Sequence, residues 1–143
     1  MNRHHVWLRF ALLIGLLTPF LGGCGGDDRK ALYPTRGRVI DATGQPLGGA
    51  TVLLHPVDTP NDNRHKPGGN ADTQGVFVLT TYTENDGAPA GDYVATVVWK
   101  PAPKGPGDDP PDQLKGKFRD PKTSPFKVTV KAGDNELPPI QIP

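Results

Sequence analysis

Apolar residues in this chain recur at every second position in short runs, and each run is cut off by a cluster of glycine, proline, asparagine or aspartate. Ala50, Val52 and Leu54 alternate with Thr51, Leu53 and His55, and Tyr93, Ala95, Val97 and Trp99 alternate with Val94, Thr96 and Val98. A period of two is the signature of β-strands, and no stripe at helical spacing competes with it. The 18 Gly and 17 Pro among 143 residues punctuate the sequence too often for long helices. The apolar residues nevertheless cluster too clearly for a disordered chain.

The pattern predicts a first strand over residues 36–41 with Val39 pointing inward. A turn cluster follows, in which Gly44 supplies positive φ and Pro46 fixes φ. A second strand carries Ala50, Val52 and Leu54 and ends at Pro56. Residues 58–71 read as a polar loop. Asp72-Thr73-Gln74-Gly75 reads as a tight turn in which the Asp72 carboxylate caps amides. A third strand is expected over residues 76–82, with Phe77, Leu79 and Thr81 on one face. The strongest strand runs over residues 92–100, and apolar residues on both its faces mark it as central. Residues 101–125 have no periodicity and form a long loop, functional or disordered, with Phe118 as the aromatic that anchors it. Phe126, Val128 and Val130 mark a further strand, and residues 137–142 close the domain as an edge. Six or seven short strands around one core make a single β-sandwich the natural arrangement.

The N-terminus obeys different rules. Arg3 and Arg9 precede an apolar run of 12 residues from Phe10 to Leu21, against the roughly 18 needed to span a bilayer as a helix. Leu21-Gly22-Gly23 then leads into Cys24, the single cysteine of the chain. A charged start, a short apolar run and small residues before a junction are the marks of a secretory signal. The junction resembles a bacterial lipobox, which implies that Cys24 is acylated and becomes the first residue of the mature protein. The chain is thus expected to divide into a signal peptide (1–23), a flexible tether (24–33) and one β-domain (34–143). Arg3 and Arg9 leave with the signal, so 14 Lys and Arg face 15 Asp and Glu in the mature chain. No basic stripe survives to bind nucleic acid. With its one cysteine committed to lipid, the mature domain can form no internal disulfide, and packing alone must stabilise it.

Four phrases occur together in order: Gly37-Arg38-Val39, Gly44-Gln45-Pro46-Leu47-Gly48-Gly49-Ala50-Thr51-Val52, Asp72-Thr73-Gln74-Gly75-Val76-Phe77 and Ala90-Gly91-Asp92-Tyr93-Val94-Ala95-Thr96-Val97. Together they resemble the carboxypeptidase regulatory-like group. That resemblance implies a transthyretin-like (prealbumin-type) Greek-key sandwich of about seven strands. Asp86-Gly87-Ala88-Pro89-Ala90-Gly91 and Phe118-Arg119-Asp120-Pro121-Lys122-Thr123-Ser124 are similar to stretches found in small bacterial lipoproteins of that group. The resemblance covers roughly residues 35–143 and rests on turn and core positions. It therefore speaks to fold and implies a non-catalytic accessory module, without assigning a task.

Catalytic groups are sparse. His4 and His5 leave with the signal, and His55 and His65 lack metal-ligand spacing; they read as a solvated strand-edge and a loop histidine. Asp108, Asp109 and Asp112 lack the pattern of a calcium loop and read as solvated charges. Ser124, the sole serine, has no nucleophile elbow and reads as a turn residue. Enzymes of the resembling fold end in Tyr-Arg-Gly-Ser or bind iron through paired tyrosines and histidines. This chain ends Pro139-Ile140-Gln141-Ile142-Pro143 and spaces its histidines otherwise.

The expectation is a non-enzymatic, lipid-anchored extracytoplasmic domain, in the periplasm or at the cell surface, without cofactor or metal. Its partners would be the membrane and an envelope protein or polysaccharide. The alternative is a carbohydrate- or peptide-binding module using Trp99, Phe118 and the 101–125 loop.

Overall fold

The computed structural model describes residues 29–59 and 65–143, and within them the chain is all-β. The strands are β1 (Leu32–Tyr33), β2 (Thr35–Ile40), β3 (Ala50–Pro56), β4 (Gly68–Asn70), β5 (Val76–Val78), β6 (Ala88–Pro89), β7 (Gly91–Trp99), β8 (Lys127–Val130), β9 (Asn135–Glu136) and β10 (Ile140–Gln141). One four-stranded sheet has the order β4-β3-β7-β8. A second is built on β2, with β5 on one side and both β9 and β10 on the other, and β1 and β6 form a separate ribbon.

The alternation read from the sequence is the alternation that packs. Ala50, Val52 and Leu54 of β3 and Tyr93, Ala95 and Val97 of β7 turn the same way and are buried. They share one apolar core with Val39, Phe77, Leu79, Val128, Val130, Leu137, Ile140 and Ile142, contributed by both sheets and their connections. Each such Val, Leu or Phe taken fully from water contributes about 1.5–3 kcal/mol. The expected edge at residues 137–142 is found in β10, which pairs parallel with β2 through Ile140↔Val39 and Gln141↔Ile40. Pro138 and Pro139, which have no amide proton to give, lie between β9 and β10, where the ladder is interrupted.

Three expectations are corrected. The stretch 58–71 is not all loop, because β4 pairs with β3 through Thr51↔Asn70, Val52↔Gly69 and Leu53↔Gly68. The third strand stops at Val78 rather than Tyr82, because the chain there changes sheets. The Leu79 amide donates to Thr35 of β2, whereas the next residue, Thr80, exchanges both backbone bonds with Gly68 of β4. Gly69 permits this close passage, since a Cβ on it would collide with the Val78 carbonyl. Finally, Leu32 and Tyr33, assigned by sequence to the tether, pair as β1 with Pro89 and Ala88. The domain therefore begins before residue 34.

That entry ribbon depends on Gly87. Its φ of 90° lies where side chains are strained, and a Cβ would run into the Tyr33 carbonyl. Gly87→Ala should lower the unfolding free energy by about 2 kcal/mol, measured by urea denaturation. An unchanged midpoint would show that the ribbon contributes nothing to stability.

Candidate functional site

Cys24 and the preceding Leu21, Gly22 and Gly23 lie outside the described residues, as does the whole predicted signal. The other sequence candidates are resolved. Trp99 ends β7 opposite Ala50. It is partly buried against the core, and its Nε1 donates to the Gly48 carbonyl at 3.0 Å. The indole is thus tied to the turn before β3, and its one donor is already used. Phe118, offered as a ligand contact, is only 4% exposed. Its ring sits 5.1 Å from that of Phe126, and its carbonyl accepts from the Val97 amide at 3.0 Å. It holds the loop down, as an anchor does.

Far from being disordered, the later half of the long loop continues the hydrogen bonding of β7. Beyond the last β8 pair, the Ala95 amide donates to Phe126 and the Val97 amide to Phe118. At Trp99 the acceptor becomes a side chain, Oδ1 of Asp112, at 3.0 Å. The same carboxylate accepts from the amides of Leu114 at 3.0 Å and Gly116 at 2.9 Å, with Arg119 3.9 Å away. Asp112 is therefore no solvated charge: its side chain is 7% exposed and organises the loop. Its neighbours do behave as expected of surface charges. Asp109 meets Lys100 at 2.8 Å while remaining open to solvent.

Burial alone would raise the Asp112 pKa, but the amides of Trp99, Leu114 and Gly116, with the Arg119 charge, outweigh it and hold the carboxyl below its ordinary value. A depressed carboxylate pKa adds stability above the unfolded value of about 3.9 that is lost as pH falls through the folded value. Asp112→Ala should cost about 2–4 kcal/mol near neutral pH and reduce the loss of stability below about pH 4. Chemical denaturation across pH measures both; equal cost at pH 3 and pH 7 would overturn the assignment.

His55 is a second correction. It is half-buried on β3, an interior strand, rather than solvated at an edge. Thr96, 5% exposed, donates its hydroxyl proton to the Leu53 carbonyl at 3.3 Å. His55 Nε2 is hydrogen-bonded to Thr96 Oγ1, 3.0 Å away, with the tautomer setting which of the two donates. That leaves Nδ1 buried and without a hydrogen-bond partner among the described residues. Burial, with the charge of Lys66, lowers the His55 pKa. Its NMR titration should have a midpoint below the ordinary histidine value of about 6.5. Folding stability should accordingly fall as pH drops from that value through the folded midpoint. A midpoint above 6.5 would contradict the burial argument.

Ser124 is buried, and its Oγ donates to the Ala95 carbonyl at 2.6 Å, fastening the loop to β7. Among the described residues no group of three His, Cys, Asp or Glu is placed to hold a metal ion. No described helix is long and apolar enough to cross a membrane.

Two features escaped the sequence reading. The first is a groove of about 640 Å³ over β4, lined by Thr51, Leu53, Gly68, Gly69, Asn70, Asp72, Val76, Val78, Thr80, Glu84 and Asn85. The Gly68-Gly69 pair was its one sequence signal. The second is the loop from Thr81 to Gly87, in which Asp86 gathers the amides of Thr81 at 2.7 Å, Tyr82 at 2.9 Å and Thr83 at 2.6 Å. The loop thereby holds Tyr82 in a fixed position. Comparison with known proteins adds no assignment: no family model matches the chain, and no curated protein or solved structure does so either.

Proposed function

We propose that this chain is a non-enzymatic, lipid-anchored extracytoplasmic domain of the bacterial cell envelope, built as a transthyretin-like Greek-key sandwich. The observation that carries the reading is the junction Leu21-Gly22-Gly23-Cys24, set after a charged start and a short apolar run. Two four-stranded sheets contributing to one core support the sandwich. The way described polar groups are used supports a non-catalytic role. Ser124 and Asp112 spend their hydrogen bonds on the backbone, where they fasten the long loop.

In this reading Cys24 is the anchor and the sandwich is the rigid body. One acyl chain holds a protein only marginally to a bilayer, so retention requires the several chains that lipoprotein processing attaches. An envelope protein or polysaccharide is the expected partner. A carbohydrate- or peptide-binding module centred on Trp99 is the weaker reading, because Phe118 is core and the indole donor is already satisfied.

The decisive experiment is intact-mass and N-terminal peptide analysis of the detergent-extracted protein. Acylated Cys24 is expected as the first residue, and Cys24→Ser should leave the membrane fraction or remain uncleaved while its domain unfolds at the wild-type denaturant midpoint. An unmodified chain that still carries Arg3 and Phe10 would overturn the anchor.

A further inference from the structure

The chain enters the domain under tight control. The Arg29 guanidinium lies over the Tyr82 ring, 5.4 Å from its centre, and the Lys30 amide donates to the Tyr82 hydroxyl at 3.2 Å. His65 packs edge-on against the same ring at 4.9 Å. Tyr82 is held from behind by the Asp86 bonds to its own amide and to those of Thr81 and Thr83. Two residues after Lys30, Leu32 and Tyr33 are fixed to Pro89 and Ala88. The exit point of the chain is therefore a defined place on the molecule from Arg29 onward.

Where that place lies follows from the strands. Pro89 is two residues before β7, so the entry ribbon stands at the start of β7. Val57, 53% exposed, stands at the same end, because its amide donates to the Asp92 carbonyl at 3.0 Å. Trp99 closes β7 at the other end, seven residues beyond Asp92, or about 23 Å away along an extended strand.

Resting on the lipid-anchor reading, we propose that the end of the domain bearing Tyr82, Val57 and the Arg29–Lys30 entry lies against the bilayer surface. The end carrying Trp99 and the Asp112-organised loop then points away from it. Five residue steps separate Cys24 from Arg29, and even fully extended they reach about 18 Å. That leash is shorter than the strand length between the two ends, so the molecule cannot turn over while anchored. Coulomb attraction is not the cause, because Arg29, Lys30, Lys66 and Lys131 stand among Asp58, Glu84, Asp86 and Asp92. The leash and the residue types are: tyrosine, with an apolar ring and a polar tip, suits the interfacial region of a bilayer, and Val57 offers exposed apolar surface at the same end of β7.

The native fluorophores make the test direct. Trp7 precedes Cys24, so the processed protein carries Trp99 alone. The acylated protein, its Cys24 modification first verified by mass, is reconstituted in phosphatidylethanolamine–phosphatidylglycerol vesicles bearing headgroup spin-labelled lipid. Trp99 emission should be retained. A Val57→Trp, Trp99→Phe variant should lose most of its emission in the same vesicles and recover it in vesicles without spin label. Quenching of native Trp99 would overturn the proposal, and that result does not depend on the variant folding. Equal, unquenched emission from both positions would also overturn it, showing a domain that stands clear of the lipid. Absence of acyl chains on Cys24 would instead remove the anchor reading, and this orientation with it.

Discussion

Much of the architecture depends on the antiparallel pairing of β3 with β7, which runs without a break from Ala50↔Trp99 to Pro56↔Tyr93. That register puts Ala50, Val52 and Leu54 on the same face as Tyr93, Ala95 and Val97, and a slip by one residue would turn all of them outward. It also fixes the two ends of the domain, with the chain entry at one and the indole of Trp99 at the other. The remaining edge of β7 is completed first by β8 and then by Phe126, Phe118 and Asp112 of the long loop. A loop that would otherwise be a liability becomes an extension of the sheet.

Turns are secured by a recurring device. Asp41 accepts from the amides of Thr43 and Gln45, Asp72 from Gln74 and Val76, and Asp86 and Asp112 from three amides each. Such carboxylates satisfy backbone donors that a strand ladder cannot reach, and bonds to a charged acceptor are stronger than neutral ones. In a domain whose loops are rich in glycine and proline, they supply order where side-chain packing is thin. At Asp41, Asp86 and Asp112, whose carboxyls these bonds hold below their ordinary value, that order is tied to ionisation and hence to pH.

The parts of the fold legible in the sequence are those in which side chains alternate. Strands β2, β3, β7 and β8 could be read because Val39, Val52, Val97 and Val128 each sit between neighbours that point to the opposite face of the sheet. The Asp72 turn was equally plain, because Asp and Gly stand at the spacing the turn needs. Strands β4 and β6 were not legible: Gly68, Gly69 and Pro89 carry no period, and their pairing is imposed by the strands beside them. Asp112 and His55 were misread for a related reason. Each is held in part by a strand more than ten residues away in sequence, Asp112 by Trp99 and His55 by Thr96, and a local pattern of charge or alternation carries no information about such a partner. The proposed anchor at Cys24 stands apart, since its reading rests on sequence alone.

The position of β9 and β10 has a consequence for how the molecule is made. Both lie parallel to β2, so that Arg36 meets Glu136 across a separation of 100 residues, and Ile140 and Gln141 complete the ladder beside Val39 and Ile40. Closing a contact between such distant residues is slow, because the loop entropy is lost before the contact forms. A chain delivered N-terminus first cannot close this sheet until residues 135–141 have emerged. The order of synthesis is thus built into the topology: β2, among the first strands made, waits for β9 and β10 before its sheet is complete.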